Sequence, residues 1–378
     1  MAASLILTDT LASVPAAQWD ALHGSDNPFV QHAFLSGLEQ SGCLRPAWGW
    51  TPCHALLQRD GELIAAAPAY RKDNSHGEFV FDHAWAAAFV QTGRDYFPKW
   101  LVAVPYSPVT GPRLLAASDE ARQQLVVAMQ RQCQAWGWSS LHVNFLPEEE
   151  TGALDDSWLA RLDVQFHWHH QGWRDFPDFL NAMTHKRRKA IRQERERVHR
   201  DGYSFRIVHG DEASAEDLAA MHDFYCLTFA DKGNSPALTL AFFQHLARTM
   251  PRALVLILAE HEGRSVAGAL CLRSADTLYG RYWGSEHQSP GLHFETCYYQ
   301  GIDYCLREGL QRFEPGAQGE HKLARGFLPE LTYSRHFVAH STFSQALAPW
   351  CASEREQVLR YRDLLQQHSP FRDASATP

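Results

Sequence analysis

Two stretches of this chain, far apart in the sequence, carry the same hairpin pattern. Leu57–Arg71 reads LQRDGELIAAAPAYR, and Ala259–Arg273 reads AEHEGRSVAGALCLR. In this alignment Gly61 falls on Gly263. Each stretch has two strand-forming runs separated by Asp-Gly or Glu-Gly, which tight hairpin turns favour because their central residues need a positive φ. The repeat predicts that the fold was built by duplication.

The segments that follow the two hairpins also correspond. Ser118–Gly137 begins with an N-capping serine and two acids and ends in glycine, which indicates a helix, and Trp138–Phe145 reads as a strand. In the second copy a helical stripe over Phe294–Gly309 precedes a predicted strand at Gln311–Glu314. The order hairpin, further strand, helix, strand therefore occurs twice, which predicts an α/β fold with mixed sheets.

The length of the chain agrees with two domains. At 378 residues it exceeds the size that one hydrophobic core usually supports, and 45% of its residues are hydrophobic. We expect an N-terminal domain over 1–165 and a second domain over 166–345. The second domain includes a long amphipathic linker helix over 175–200, and a C-terminal helix and tail follow over 346–378.

Positive charge is concentrated in the predicted linker helix. The net charge of −8 argues against non-specific nucleic-acid binding by the whole surface, and no duplex DNA partner is expected. His185–Arg200 alone carries eight Lys or Arg and two Glu, or +6, which leaves −14 for the rest. The segment predicts an anion-binding surface. The alternative is a solvated helix face, which the spacing of Glu196 and Arg200 favours.

Nothing in the sequence indicates export or a membrane span. No apolar run approaches eighteen residues, and the start MAASLILTDT lacks the basic and apolar regions of a secretion signal. The eight cysteines are scattered singly, without a CxxC pair. We expect a cytoplasmic protein with reduced thiols.

Four motifs form a recognisable set. They are FDHAWAAAF, VPYSPVTGPR, RYWGSEHQSPGLHFETCYYQ and FEPGAQGEHKLARGFLP, joined by the helix THKRRKAIRQERERV. From about Asn27 to His340 the chain resembles the FemAB-like branch of the GNAT acyltransferase superfamily, a bacterial group associated with peptidoglycan biosynthesis. The resemblance implies tandem GNAT-like domains and N-acyl transfer to a small-molecule or peptide amine. The expected donor is an acyl-CoA; the alternative, as in FemAB-type aminoacyltransferases, is aminoacyl-tRNA used on a peptidoglycan precursor.

The second half holds the candidates for catalysis. Amide-forming transfer needs a base that takes a proton from the amine and a donor that stabilises the oxyanion. For Glu314 the alternative is a strand-end acid paired with a nearby arginine, and for Glu295 it is a favourable position at a helix N-terminus. The candidate catalytic residues are Glu314, His321, Glu320, His293 and Glu295.

An anionic donor needs basic side chains and free backbone N–H groups. The run from Arg281 to Glu286 is the nearest match to the Gly-rich pyrophosphate loop of GNAT enzymes, although Glu286 would repel phosphate. The candidate donor-binding residues are Lys186, Arg187, Arg188, Lys189, Arg192, Arg281, Gly284, Lys322 and Arg325.

Aromatic and polar residues from both halves are candidates for an acceptor pocket. For Trp85 and Tyr106 the alternative is packing within an aromatic lid over 76–115. The candidate substrate-binding residues are Asp82, His83, Trp85, Tyr106, Arg113, Trp283, Tyr298 and Gln318.

The run His167-Trp-His169-His170 invites a metal-binding interpretation. However, alternating strand residues point to opposite faces, and no Cys, Asp or Glu cluster in the sequence completes a site. We therefore expect no metal.

Two classes of function remain open at this point. The first is an N-acyltransferase whose second half carries the chemistry and whose basic helix holds the donor. The second is a degenerate acyltransferase fold that binds an anionic glycan, peptide or protein without turnover, which the poor pyrophosphate loop favours. Replacing Glu314 or His321 by Ala separates them, because only an enzyme loses rate while it retains ligand.

Overall fold

Residues 3–317 and 319–372 are described by the computed structural model. They form two units, one made of residues up to 164 together with 331–360, the other of 165–330 together with the segment that begins at 361. The first boundary lies beside the expected one. Residues 331–345, expected in the second domain, belong to unit 1 instead, because Tyr333–Val338 pair antiparallel with Ser140–Leu146.

The described residues contain fifteen strands and eleven α-helices, which are numbered here in chain order. The strands are β1 (Ser4–Thr8), β2 (Trp50–Pro52), β3 (His54–Arg59), β4 (Glu62–Ala67), β5 (Ala69–Lys72), β6 (Lys99–Val102), β7 (Leu115–Ala116), β8 (Ser140–Leu146), β9 (Trp158–His169), β10 (Ser204–His209), β11 (Leu254–His261), β12 (Arg264–Arg273), β13 (Thr277–Ser285), β14 (Arg312–Glu314) and β15 (Leu328–Val338). The helices are α1 (Ala16–Asp20), α2 (His32–Gln40), α3 (His83–Val90), α4 (Asp119–Trp136), α5 (Phe176–Ala182), α6 (His185–Arg200), α7 (Ala215–Asp231), α8 (Leu240–Thr249), α9 (Leu292–Phe294), α10 (Gln300–Glu308) and α11 (Ser341–Gln366). Within the described ranges, no helix is long and apolar enough to cross a bilayer.

Both units contain a mixed sheet. In unit 1, β1, β3, β4 and β7 form one antiparallel sheet, and β2, β5, β6, β8 and β15 follow one another in a second. In unit 2 the order is β10, β11, β12, β13, β14 and β9. β6 runs parallel to β8, and β13 runs parallel to β14. Helix α4 packs on the first unit's strands through Leu125 and Met129, and α7 packs against β12 and β13 in the second.

The repeated hairpin is confirmed down to its irregularities. β3 and β4 pair with a register shift between Leu57 and Gln58, and β11 and β12 pair with a shift between Ala259 and Glu260. The alignment that sets Gly61 on Gly263 also sets Leu57 on Ala259, so the two shifts fall at equivalent positions. A β-bulge is a specific feature that re-aims a strand, so its presence in both copies supports duplication.

The two hairpin turns share one backbone conformation. Asp60 and Gly61 have φ angles of 54° and 86°, and Glu262 and Gly263 have 50° and 79°. Two successive positive φ values define the tight turn whose twist matches that of the flanking strands. An aspartate tolerates this region better than a glutamate does, and glycine adopts it without strain.

Replacing either turn glycine by alanine is expected to destabilise the protein by a similar amount. Gly61→Ala and Gly263→Ala should each lower the free energy of unfolding by about 1–2 kcal/mol, because alanine is strained at these φ values. Urea unfolding measures the loss. Gly152→Ala is the control, since a Cβ there has open space and the φ is not positive. A negligible cost at one glycine and a full cost at the other would contradict equivalent turns.

The helix and strand after each hairpin also correspond. Helix α4 has Ser118 as its N-cap and ends at Gly137, as predicted, and α10 ends at Gly309. Both glycines adopt the left-handed conformation that ends many helices. A strand follows each of them, β8 in the first copy and β14 in the second. The second correspondence therefore holds when Gly137 is aligned with Gly309.

In this second alignment, one position carries a buried titratable side chain in both copies. His142 on β8 corresponds to Glu314 on β14, and both are buried. His142 pairs with His336 on β15, while the register of β14 with β9, continued by one residue, places His167 opposite Glu314. The duplication has kept this position between two strands polar, with different side chains in each copy.

The long linker helix predicted over 175–200 is two helices instead. Helix α5 ends at Met183, which has extended backbone angles, and α6 begins at His185. Met183 is fully buried and pairs with Phe371 in an isolated bridge. The apolar positions that predicted one continuous helix are therefore divided between two helices. Only Ile191 and Val198 of α6 are buried.

Candidate functional site

Four of the candidate residues of unit 2 come together around a helix N-terminus. A π-helical turn over Glu295–Tyr299 lies between α9 and α10, and such turns are frequent at functional sites. The ring of His293 lies 5.2 Å from Trp283, 5.4 Å from Tyr298 and 6.4 Å from His321, measured between centroids. The hydroxyl of Tyr298 is 2.9 Å from Nε2 of His321. We call these four residues the imidazole cluster.

Both histidines of the cluster favour the neutral form. Burial, then the charges of His321 and Lys322, lower the pKa of His293 to about 4. Burial, then the charges of Lys322 and Arg325, lower the pKa of His321 from its usual value. A neutral imidazole keeps one lone pair, so either ring can accept a proton. Because His321 is the exposed one, it is the better placed to meet a substrate.

The ring of His321 rests on the backbone of the loop before it. A Cβ built on Gly319 would lie 2.3 Å from Cε1 of His321, and Gly319 has a φ of 119°. Only glycine allows this approach and this backbone conformation. The loop and the hydroxyl of Tyr298 together hold the imidazole in place.

Lys322 and Arg325 occupy the short 3₁₀ helix over Glu320–Arg325. Burial, then the charge of Arg281, lowers the pKa of Lys322 to about 7, and its Nζ donates to the carbonyl of Gly316 at 2.7 Å. Arg325 lies 3.4 Å above the ring of Phe294, and it donates to the carbonyl of His321 at 2.9 Å. Arg325 therefore positions the loop, which leaves Lys322 as the cation whose charge is most easily lost.

The predicted acidic residues lie outside the imidazole cluster. Glu314 is 1% exposed and forms salt bridges with Arg281 at 3.2 Å and Arg312 at 2.5 Å. Glu295 is fully buried against Arg195 at 3.0 Å. Glu320 is exposed and accepts a hydrogen bond from Tyr361. Glu314 thus has the arginine partners of its alternative role, whereas Glu295 forms a buried ion pair with Arg195.

The segment that resembles a pyrophosphate loop is the end of strand β13 and is packed against protein. A Cβ on Gly284 would come within 1.7 Å of the carbonyl oxygen of Phe224 on α7. The side chain of Arg281 is 3% exposed and faces Glu314. Both residues therefore hold β13 in place, and the donor site proposed below does not include them.

Helix α6 presents its positive charge to solvent. A hollow of about 480 Å³ lies along it, lined by Asn181, His185, Arg188, Lys189, Arg192, Gln193 and Glu196. Lys186, Arg187, Lys189 and Arg192 form no salt bridge with any residue in the ranges 3–317 and 319–372. Of these four, Lys189 and Arg192 line the hollow. Unpaired basic groups of this kind are suited to bind phosphate oxygens.

Two residues within the basic run of α6 contact the neighbours of the imidazole cluster. Glu194 accepts hydrogen bonds from Arg325 at 2.8 Å and from the hydroxyl of Tyr299. Arg195 pairs with Glu295 of the π-helical turn. Neither contact could be predicted from the sequence, where Glu194 and Arg195 lie within one block of charge.

The candidate residues of unit 1 are mostly core residues. Arg113 is fully buried and donates to the carbonyls of Asn144 and Gly111. Asp82 is buried and accepts from Lys99 and Tyr96. Trp85 and Tyr106 are buried too, whereas His83 is exposed beside Phe81. Gln318 lies outside the described residues. The acceptor-pocket prediction is thus supported by geometry for Trp283 and Tyr298 only.

A carboxylate lies beside the histidine run, contrary to the prediction. His167 and His169 share one face of β9, because they are two residues apart, and Glu330 lies beside them. Glu330 lies far beyond His169 in the sequence, so spacing could not reveal it.

Three solved structures share the fold. FemX covers 91% of this chain and is itself fully covered, at 12% identity and a TM-score of 0.52. L-PGS from Bacillus licheniformis matches at 10% identity over 95% of this chain and 98% of its own, with a TM-score of 0.52. A conserved protein of unknown function from Bacteroides thetaiotaomicron matches at 9% identity over 88% and 99%, with a TM-score of 0.52.

These likenesses confirm the predicted fold class. The comparison with curated proteins returned no match. Residues 10–373 match the model of a family described as FemAB-like, peptidoglycan biosynthesis and recognition. The resemblance predicted from the motifs is thereby confirmed, and the chain belongs to the FemAB-like family.

Proposed function

We propose that the protein is an N-acyltransferase that moves an aminoacyl group from tRNA to an amine of a peptidoglycan precursor. The observation that carries the proposal is the connection of an exposed basic helix to the loop bearing His321, through Glu194 and Arg325. A donor held by its phosphates on α6 is thus linked to a base. Membership of the FemAB-like family supports the class of reaction and of acceptor.

The extent of the basic surface favours a polymeric donor over acyl-CoA. Helix α6 has 16 residues, and at 1.5 Å per residue it is about 24 Å long. Basic side chains occur along its whole length, from Lys186 to Arg200. One pyrophosphate needs only a few of them, whereas the backbone of an RNA offers a row of phosphates. The packing of Gly284 in β13 against α7 also argues against a CoA pyrophosphate at this position.

The imidazole cluster supplies a base for the transfer. If Nε2–H of His321 donates to the oxygen of Tyr298, its Nδ1 keeps a lone pair and takes a proton from the acceptor amine. The amine nitrogen then forms a bond to the carbonyl carbon of the aminoacyl ester. The carbon–oxygen bond to the tRNA breaks, and His321 returns the proton to the tRNA 3′-terminal oxygen. Trp283 and Tyr298 provide flat surfaces beside the reacting atoms.

The donor site is tested by reversing two charges on α6. The double variant Arg188→Glu, Arg192→Glu should bind aminoacyl-tRNA at least about 10-fold more weakly at moderate salt. The slope of log affinity against log salt should also shrink by about 1.4 to 1.8, since two phosphate contacts are lost. Filter binding with a charged tRNA pool at several salt concentrations measures both quantities.

A matched control reverses two exposed arginines of the same unit. Arg252 and Arg264 have side chains 80% and 63% exposed and lie outside α6. The variant Arg252→Glu, Arg264→Glu should bind tRNA like the parent protein. Equal affinity of all three proteins would refute the donor site. If binding of acetyl-CoA, and not of tRNA, depends on Arg188 and Arg192, the donor is an acyl-CoA.

A further inference from the structure

We propose that His167, His169 and Glu330 form a binding site for a divalent transition-metal ion of the Zn²⁺ class. One ligand atom from each residue lies within 4.8 Å of the others. Two of the residues come from neighbouring positions on one face of β9, and the third comes from β15. Two imidazoles and a carboxylate are a ligand set found in zinc sites that keep a fourth position open.

The hydrogen-bonding of the buried His167 leaves one ring nitrogen free to bind a metal ion. His167 is 1% exposed, and its Nε2 lies 3.3 Å from Oε1 of Gln165. The amide oxygen can only accept, so Nε2 carries the hydrogen and Nδ1 carries the lone pair. That Nδ1 has no hydrogen-bond partner among the described residues. Histidine ligands of metals characteristically donate their other N–H to an oxygen in this manner.

An unpartnered acceptor in the interior is costly, which is the second reason to expect a cation there. Buried polar atoms almost always have partners, and those that lack one need an explanation. A metal ion bonded to Nδ1 of His167 would satisfy it. Glu330 provides the negative charge that a dication requires.

The other two ligands can adjust to a metal. Nε2 of His169 lies 2.8 Å from Oε1 of Glu330, and these side chains are 39% and 41% exposed. Tetrahedral zinc with bonds of about 2.0–2.2 Å places its ligand atoms about 3.4 Å apart. Half-exposed side chains can make this adjustment by rotation, while His167 stays fixed. Their exposure also gives the ion a path of entry and leaves a position for water.

Three neighbouring positive charges oppose the cation. The charge of Arg312 is felt at Glu330 and at His167, and His167 also feels Arg281 and Lys322. Arg312 and Arg281 are both paired with Glu314, at 2.5 and 3.2 Å, which offsets part of this repulsion. The ligand set selects among cations in any case, because Ca²⁺ and Mg²⁺ prefer oxygen atoms whereas imidazole suits Zn²⁺ and its neighbours.

The test uses the purified full-length chain after removal of metals by a chelator. Zn²⁺ is titrated by calorimetry, and Co²⁺ is titrated in parallel because its visible absorption reports tetrahedral coordination. His169→Ala and Glu330→Gln remove the two adjustable ligands and leave the buried His167 in place. The parent protein should bind one equivalent with the tetrahedral Co²⁺ spectrum. Each variant should bind at least about 10-fold more weakly, since even outer partners of ligands are worth 10- to 100-fold.

His368→Ala is the matched control, because His368 is an exposed histidine of the same unit. It should bind Zn²⁺ like the parent protein. Circular dichroism of each variant shows whether the fold is retained. The proposal is overturned if the parent protein binds no Zn²⁺, or if folded His169→Ala and Glu330→Gln variants bind it as tightly as the parent. Binding that is lost in His368→Ala instead would assign the ion to another place.

Discussion

Replacing His321 by asparagine is expected to lower kcat for aminoacyl transfer by about 10²- to 10⁴-fold, the range that a general base contributes. Asparagine keeps a polar group within reach of Tyr298, but its side chain cannot take a proton at neutral pH. The imidazole of His321 is the group that would contact the amine. Partial burial, then the charges of Lys322 and Arg325, lowers its pKa. Rates measured with a charged tRNA pool and a peptidoglycan-precursor amine test the effect.

Donor binding separates the catalytic role from a structural one. His321→Asn should bind tRNA with the affinity of the parent protein, because the basic residues of α6 are untouched. His368→Asn, at an exposed histidine of the same unit, should retain both rate and affinity. Full activity of His321→Asn would remove His321 as the base. No turnover by the parent protein with any aminoacyl or acyl donor would favour a fold that only binds its ligand.

The duplication could be predicted from sequence because local chemistry determines its signals. A turn that needs positive φ at Gly61 and Gly263 restricts the residues allowed there, and so do the caps at Ser118, Gly137 and Gly309. These features were placed within one or two residues of where the structure has them. The break between α5 and α6 could not be predicted from the sequence, because it depends on the burial of Met183 by distant residues.

Within the site, which residues lie close together could be predicted from the sequence better than the role of each residue. The histidines and aromatic residues of the imidazole cluster lie in one motif-rich region, so their proximity could be anticipated. The role of Glu314 depends on its salt bridges with Arg281 and Arg312. These form only when β13 and β14 pair and the interior is buried. Glu330 joins His167 and His169 only through the folding of strands that are distant in the sequence. Contacts between residues this far apart in the sequence produce no regular spacing from which they could be predicted.

Gly284→Ala is expected to cost more than about 3 kcal/mol in the free energy of unfolding, beyond the usual range for an added methyl group in a packed core. The new Cβ would lie 1.7 Å from the carbonyl oxygen of Phe224, and 2.3 Å from its carbonyl carbon. Backbone atoms of a helix cannot rotate away as a side chain can, so β13 and α7 would have to separate. Urea unfolding, with Gly152→Ala as the control in open space, measures the loss.

The same contact positions the imidazole cluster. Thr228 on α7 donates to the carbonyl of Trp283 at 2.6 Å, and Trp283 packs on His293. Displacing β13 from α7 would therefore move the aromatic wall away from the histidines. Any folded fraction of Gly284→Ala should show a lower kcat and unchanged tRNA affinity, because α6 contacts other residues. A stability within about 1 kcal/mol of the Gly152→Ala control would mean that Gly284 is free of this packing, and its backbone N–H would again be a candidate for binding phosphate.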